Sequence, residues 1–581
     1  MSTRVLQAAR SVVLAVALAA VFATTIATTI GTTSGQVKPG AKALTLTPMD
    51  YIEIRQLVNR YAFAADTGSN NGYDYADLFA PDGEFVQPYA KGREQLAAFA
   101  RGPRLGPDNT EHYIMNHVIE PTPDGAIGKA YVILLNWDIA PAPATGGTGA
   151  TGGTGGRAGT GPANGWDLVG RKAGELTRIG GHYEDVYVKT PAGWRFRKRD
   201  FIPSTSGADP APLSIPSDAP PGIPSDATRA SLAPAANFIA PTQQSSLSAT
   251  DYLEIAQLVA SYGHALDSGY GKGENGEAYA GLYTADASFA GAMGHDQLVP
   301  LGQIQPRGPD FVRHYLTNHV IEPMPGGAKG REYLAVIDNG ENGKASSLFL
   351  GGHYEDTYVK TPQGWRIRTR RLFPPRSGPQ DQTAATRSVS DSKPPAASAA
   401  QVAGTAAVAA PRSALSAADT IAIQQLIARS AYALDSAADR GAVYAQLFTA
   451  DGAFIRKTAL PAEIKGRTQL AAFAVGDLTH RGPAFVREYL TNYIIQPSRG
   501  AATGRVYVVW IEVGENGNAG AIQGGGHYED EYVKTRDGWR IARRTFVPSR
   551  LGPRDIYDVD RAQSGGAPAP RSQETNGLTH D

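Results

Sequence analysis

The stretch GGHYEDVYVKTPAGWRFRKRDFIP at residues 180–203 returns as GGHYEDTYVKTPQGWRIRTRRLFP at 351–374 and as GGHYEDEYVKTRDGWRIARRTFVP at 525–548. Each copy reads as a strand pair. Aromatic and β-branched residues fill two runs, and a Thr-Pro-Ala-Gly type of turn joins them. Reading outward from the copies gives one order of features each time: a capped helix, a segment ending in an aspartate, a strand with Asn before His or Tyr, then this hairpin. The chain is therefore one unit used three times.

The first unit opens on Thr47-Pro48-Met49-Asp50, a hydroxyl cap followed by proline at the first helical position and a carboxylate at the third. Ser248-Ala249-Thr250-Asp251 and Ser416-Ala417-Ala418-Asp419 repeat the device. Behind the first cap, Tyr51, Ile54, Leu57, Val58 and Tyr61 recur at three- and four-residue spacing, which predicts an amphipathic helix with one face to bury. The helices end at Asp66, Asp267 and Asp435. A short helical piece follows (75–79, 279–283, 444–448), then a turn at Asp82, Asp286 or Asp451 and a strand beginning at Phe85, Phe289 or Phe454. Strand signals come next at 112–120, at 129–137 and in the GGHYED stretch. Helices first and strands afterwards predict an α+β fold, each unit a curved antiparallel sheet with N-terminal helices on one face.

The expected organisation is a leader at 1–36, a first domain at 44–203 with a Gly/Thr-rich insertion at 141–164, and a linker at 204–246. A second domain covers 247–375, a linker 376–413, a third domain 414–549, and a polar tail 550–581. The linkers are rich in Pro, Ala and Ser and should stay extended. In the leader, Arg4 and Arg10 precede an apolar run and then small residues, which reads as a secretory signal and places the protein outside the cytoplasm, secreted or periplasmic. An uncleaved anchor is the competing reading, since residues 12–30 are just long enough to span a bilayer.

Lys plus Arg and Asp plus Glu both number 55 in the 581 residues, so no net field attracts nucleic acid or an anionic membrane surface. Cysteine is absent, which removes disulfides, thiolate catalysis and cysteine metal sites. No phosphate loop, nucleophile elbow or dinucleotide fingerprint is present, and no cofactor is expected.

The helix ending in Y-A-x-A-x-D, the H-Y-x-x-N-H strand and the G-H-Y-E-D…G-W-R hairpin resemble the SnoaL-like branch of the nuclear-transport-factor-two-like superfamily, the branch of scytalone dehydratase and bile-acid dehydratase. The resemblance covers all three units but not the leader, linkers or tail. It implies a cone: a bent sheet wrapped by helices around an apolar pocket. The dehydratases carry a tyrosine and an aspartate on the first helix and a histidine on a strand. By motif position these resemble Tyr61, Asp66 and His112 in the first copy, and Tyr262, Asp267 and His314 in the second.

The residue types fit that chemistry. A carboxylate can orient an imidazole so that it works as a general base, and a phenol can donate to a carbonyl or a departing hydroxyl. The further pocket candidates, as substrate-binding groups, are Asn116, His182 and Glu184 in the first unit and Asn318, His353 and Glu355 in the second. Strand alternation puts His112 and Asn116 on one face and His117 on the other, so His112, His117 and His182 cannot form one compact metal site without a bulge. No metal is expected.

Each candidate has a plainer reading. Asp66 could cap the following turn, His112 could be a hydrogen-bonded core residue, and His182 could be structural, as could Asn116, Asn318 and Asn492 by satisfying backbone groups. Trp194, Trp365 and Trp539 suit core anchors, and Arg197 or Arg199 could pair with Glu184 or Asp185 across the hairpin. In the third copy Ser430 replaces the tyrosine and Glu488 the histidine, while Asp435 remains, so that unit is expected to keep the fold and lose the chemistry.

The functional expectation is an exported, cofactor-independent lyase (a dehydratase) or isomerase acting on a hydrophobic, hydroxylated or carbonyl-bearing small molecule by Asp–His acid–base catalysis. A non-catalytic protein binding a small hydrophobic ligand, or an assembly module, is the alternative. The three cones are expected either to pack as an intrachain pseudo-trimer or to dimerise.

Overall fold

The computed structural model describes residues 43–86, 89–101, 110–136, 178–203, 247–268, 276–303, 312–338, 347–373, 415–456, 462–480, 485–498, 501–513 and 519–548. The leader, the insertion, both linkers and the tail lie outside them. Among the described residues no helix is long and apolar enough to cross a membrane.

Unit 1 runs α1 (Pro48–Thr67), α2 (Tyr73–Ala76), β1 (Phe79–Phe85), β2 (Ala90–Lys91), α3 (Gly92–Ala100), β3 (Thr110–Thr122), β4 (Gly125–Asn136), β5 (Arg178–Thr190) and β6 (Gly193–Pro203). Unit 2 repeats this as α4 (Ala249–Ser268), α5 (Glu277–Ala280), β7 (Tyr283–Phe289), β8 (Ala292–Met293), α6 (His295–Gln303), β9 (Val312–Met324), β10 (Gly327–Asp338), β11 (Ser347–Thr361) and β12 (Gly364–Phe373). Unit 3 has α7 (Ala417–Ser436), α8 (Ala442–Gln446), β13 (Phe448–Arg456), β14 (Glu463–Lys465), α9 (Arg467–His480), β15 (Phe485–Ser498), β16 (Ala501–Val513), β17 (Ala519–Thr535) and β18 (Gly538–Pro548).

Each unit has one six-stranded sheet, ordered β2-β1-β6-β5-β4-β3 in the first, with the same order in the others. The sheets are mixed rather than purely antiparallel, because β1, β7 and β13 run parallel to the hairpin's last strand. These strands also start earlier than expected, at Phe79, Tyr283 and Phe448, and carry Asp82, Asp286 and Asp451 within them. The outer residues of β1 are exposed while Phe79 and Phe85 are buried, so the polar aspartate marks the solvent side of a strand and not a turn.

The helix cap and the hairpin hold each other. Asp50 accepts the Thr47 backbone N–H at 2.9 Å and its own N–H donates to the Thr47 hydroxyl at 3.2 Å, closing a capping box. Its second oxygen accepts Lys189 Nζ at 2.5 Å and Trp194 Nε1 at 3.0 Å. Asp251 with Lys360 and Trp365, and Asp419 with Lys534 and Trp539, do the same. The repeated V-K-T…G-W thus clamps the start of the long helix, which is why the tryptophan recurs.

The units close on one another in a ring. Gln56 on α1 donates to His319 O and accepts from Ile321 N on β9 of unit 2. Gln257 on α4 accepts from Ile495 N of unit 3, and Gln425 on α7 donates to His117 O and accepts from Ile119 N of unit 1. Ile52, Leu253 and Ile421, one from each long helix, pack together where the three helices meet. Beside them a cavity of about 180 Å³ is lined from all three units.

Candidate active sites

Two sites are built alike, at the end of α1 in unit 1 and of α4 in unit 2. Asp66 Oδ2 accepts the backbone N–H of His112 at 2.9 Å, and Asp66 Oδ1 meets His112 Nδ1. Asp267 accepts His314 N–H at 2.9 Å and meets His314 Nδ1 at 2.6 Å. A carboxylate at Nδ1 fixes the proton there and leaves the Nε2 lone pair to act as a base. Nε2 of neither histidine is hydrogen-bonded to a described residue. His112 is 3% exposed and Asp66 9%, so the pair sits in a shielded setting where each charge acts strongly. The competing role for Asp66, capping the following turn, is taken by backbone: Gly68 N–H donates to Ala64 O, with Gly68 at φ 55.

Tyr61 lies edge-on to His112, with centroids 6.2 Å apart at 89°, and its hydroxyl is 3.4 Å from that of Tyr183. Tyr262 repeats this against His314 at 6.4 Å and 87°, 3.0 Å from the Tyr354 hydroxyl. Burial pushes the Tyr61 and Tyr262 hydroxyls above their usual value, while Arg199 and Arg370 pull the other way. Both phenols therefore stay protonated and can donate.

The interior below them is filled by a buried ion pair among rings. Arg199 donates to Asp185 at 2.7 and 2.6 Å, and its guanidinium lies 4.0 Å over Tyr61, 4.1 Å over Tyr183 and 4.1 Å over Phe196. Arg370–Asp356 and Arg544–Asp530 occupy the same place in units 2 and 3. The pairing expected across the hairpin thus falls on Arg199 and Asp185, not on Arg197 or Glu184, and serves as the floor of the cone.

His117 corrects the parity argument. Asn116 takes φ 56 and the register between β3 and β4 skips between Met115 and Val118, so alternation resets at a bulge. His117 Nε2 then lies 2.9 Å from the Tyr187 hydroxyl, which donates to Asp185, joining it to the floor network on the face that also holds Tyr183. His319 and Tyr358 do likewise in unit 2. No group of three His, Asp or Glu side chains among the described residues is arranged to hold a metal.

The asparagines expected at substrate are committed elsewhere. Asn116 donates to Glu488 O at 2.9 Å and accepts from Leu490 N at 2.9 Å in unit 3, Asn318 accepts from Ile114 N of unit 1, and Asn492 bridges His314 O and Leu316 N of unit 2. They are seam residues, spent on a neighbouring strand that needs those partners. His182 and Glu184 likewise face away from Tyr183, on the outer side of the sheet, where Glu184 pairs with Lys129 at 2.9 Å. His353 stacks on Phe373 at 5.1 Å and lies 6.1 Å from Phe63 of unit 1, with Glu355 beside it. Alternation along β5 and β11 separates all four from the dyad of their own unit, and His353 lies instead against Phe63 and Tyr333, so the retained GGHYED histidine belongs to the seam.

Unit 3 keeps the aspartate and changes its partner. Asp435 still accepts the strand backbone, from Glu488 N at 3.0 Å. The Glu488 carboxylate accepts from Trp510 Nε1 at 3.2 Å and from the Tyr528 hydroxyl. Ser430 accepts from Arg544 at 2.8 Å, standing in for the ring that covers Arg199 in unit 1.

Two residues at the dyads escaped the sequence reading. Tyr333 of unit 2 donates to Asp66 Oδ2 at 2.7 Å, and Tyr507 of unit 3 donates to Asp267 Oδ2 at 2.8 Å. Their signal was a tyrosine at one register in every copy, Tyr131, Tyr333 and Tyr507.

The profile of the SnoaL-like domain family matches residues 49–200, 248–371 and 416–545. Among solved structures, a protein of unknown function from Mycobacterium tuberculosis is 29% identical, covering 23% of this chain and 74% of that one, with a TM-score of 0.20. An NTF2-like protein with a cystatin-like fold from Novosphingobium aromaticivorans is 26% identical, covering 25% and 88%, TM-score 0.21. A Catenulispora acidiphila protein in complex with S-DNPA is 25% identical, covering 22% and 95%, TM-score 0.20. A comparison with curated proteins found no match.

Proposed function

Since the chain belongs to the SnoaL-like domain family, which its three units match in tandem, we propose that units 1 and 2 are cofactor-independent acid–base centres of a lyase or isomerase. The carrying observation is the buried carboxylate on Nδ1 with Nε2 left open, present twice with the same partners. In this reading Nε2 of His112 or His314 takes a proton from carbon beside a carbonyl. The resulting imidazolium is stabilised by Asp66 or Asp267, and Tyr61 or Tyr262, with Tyr183 or Tyr354, donates to the oxygen that gathers charge. If that carbon bears a hydroxyl one position on, the product is the alkene and water; otherwise the proton returns to another carbon. The rings beside each dyad, Tyr61 with Tyr183 and Tyr262 with Tyr354, suit a flat, apolar substrate.

A second reading, a small-ligand binding protein without turnover, draws on the rings alone, since Tyr61, Tyr75 and Tyr183 pack ring to ring in unit 1 and would meet an apolar ligand without any base. The test covers both. Purified protein is incubated with a panel of cyclic β-hydroxyketones while enone formation is followed by absorbance. Turnover in the wild type and its loss in the His112→Ala/His314→Ala double variant is expected. Saturable binding without turnover would leave only the second reading, and turnover surviving in the double variant would remove the first. The apolar leader supports export, and the mature protein from its host is expected to begin between Thr24 and Gln36 by N-terminal sequencing.

A further inference from the structure

Tyr333 and Tyr507 reach the two dyads from the neighbouring unit. The oxygen each one binds, Oδ2 of Asp66 or Asp267, also accepts the backbone N–H of the dyad histidine, while Oδ1 faces Nδ1. We propose that Tyr333 and Tyr507 are positioning residues supplied in trans, which orient the carboxylate behind each imidazole and temper its charge, so that each acid–base centre is complete only when the next unit is docked. Its catalytic meaning rests on the acid–base reading above; the coupling between tyrosine and dyad does not.

The helix geometry makes the arrangement hard to avoid. Phe63 and Asp66 are three residues apart and share a helix face. Phe63 lies on the Tyr333 ring with centroids 4.1 Å apart, which puts Asp66 over the hydroxyl. In unit 2, His264 lies on Tyr507 at 4.0 Å and Asp267 takes the hydroxyl. Both tyrosines are buried, Tyr333 at 3% and Tyr507 at 1%, so their orientation is fixed by packing. Burial first, and then the adjacent aspartate, push both hydroxyls well above the usual tyrosine value, so each remains a donor.

The chemistry of the contact follows. A phenol donating to one carboxylate oxygen draws charge from the other and holds the carboxylate plane. Without it, Oδ2 keeps only a backbone N–H, and more charge falls on the bond to Nδ1. Unit 3 separates this role from seam packing: Tyr131 of unit 1 lies on Tyr432 at 4.1 Å, beside Asp435, where no imidazole follows. There the ring packing recurs without the hydrogen bond, since the Tyr131 hydroxyl has no hydrogen-bond partner among the described residues, and the tyrosine can serve only the seam.

The test uses the full chain with histidine-selective 15N labelling, and follows the Nδ1 proton resonances of His112 and His314, assigned by H112A and H314A. Tyr333→Phe should move the His112 resonance downfield, as the bond to Asp66 strengthens, and leave that of His314 in place. Tyr507→Phe should do the reverse. If one variant does not fold, the other decides. 4-Aminophenylalanine at 333 keeps the ring with a weaker donor and should give a displacement between Tyr and Phe. No movement at His112 in Y333F, or equal movement at both histidines, overturns the proposal. With a turned-over substrate and H314A silencing unit 2, Y333F should lower kcat with KM unchanged. A displaced resonance in a protein that turns over nothing would sink the acid–base reading and leave the trans contact standing. An unmoved resonance in an active enzyme would do the opposite.

Discussion

Units 1 and 2 carry a carboxylate–imidazole pair where unit 3 carries two carboxylates, on frames that are otherwise alike. The capping aspartate held by Lys and Trp, the buried Asp–Arg pair and the seam asparagine recur in all three. Even the helix-end aspartate keeps one job throughout, accepting the next strand's backbone N–H. The difference teaches that Asp66, Asp267 and Asp435 are first a tie between helix and strand. The catalytic reading depends on the second oxygen, which meets an imidazole in two units; in the third, Glu488 stands in the histidine's place and turns its carboxylate to Tyr528 and Trp510. A structural aspartate that ties the strand backbone through one oxygen is a natural place for a dyad to form or be lost at the other.

The largest expected effect probes what the units share. Removing Asp185 or Asp530 by Asp→Ala leaves a buried guanidinium without its carboxylate and should cost about 3–5 kcal/mol each, measured by urea unfolding, whereas Asp356→Ala leaves Arg370 paired with Glu332 at 2.6 Å and should cost less. A much smaller cost in unit 3 than in unit 1 would show that Ser430 has changed the floor as well as the dyad, and would break the comparison. Next comes what they do not share. Asp66→Asn with Asp267→Asn should leave the fold intact and cut turnover by about a hundredfold or more, whereas Asp435→Asn should leave kcat unchanged. Equal losses in steady-state assays would put chemistry in unit 3.

The smallest effect concerns acid. Burial lowers His527 of unit 3 from its usual 6.5 to about 4, against the pull of Glu529. A histidine whose folded value is depressed adds stability that is present above about 6.5, is lost as pH falls, and is gone below about 4. Between pH 7 and 5.5 this amounts to about 1 kcal/mol, and His527→Gln should remove that much of the pH slope of stability. An unaltered slope would mean that His527 takes up its proton as readily when folded as when unfolded.

The features legible in the sequence were those written within one unit at short range. Thr47 and Asp50 three residues apart spell a cap, and the hairpin offers Arg197 or Arg199 to Glu184 or Asp185, among which the register selects Arg199 and Asp185. The Asp66–His112 pair was reachable through the resemblance. Alternation failed at Asn116, where a positive-φ residue inserts a bulge that brings His117 back to the inner face. Nothing local marks that residue, because asparagine enters the left-handed region only where surroundings reward it, here the Glu488 and Leu490 backbone of unit 3.

By itself the sequence determined the α+β unit, its threefold use, the capped helix and the residue types of two dyads and one altered copy. The unit, its repetition and the capped helix follow from periodicity and capping, which act between neighbours in the chain, while the dyads came through the resemblance. Only the tertiary structure decided the rest: that Asn116 and Asn318 bind a neighbour's strand, that His182 and His353 lie on the outer face, and that Tyr333 closes on Asp66 across 267 residues of sequence. The physical reason is that each sheet has two faces to bury. The inner one is covered by its own helix, and the outer one by the helix of another unit, whose identity no local pattern records.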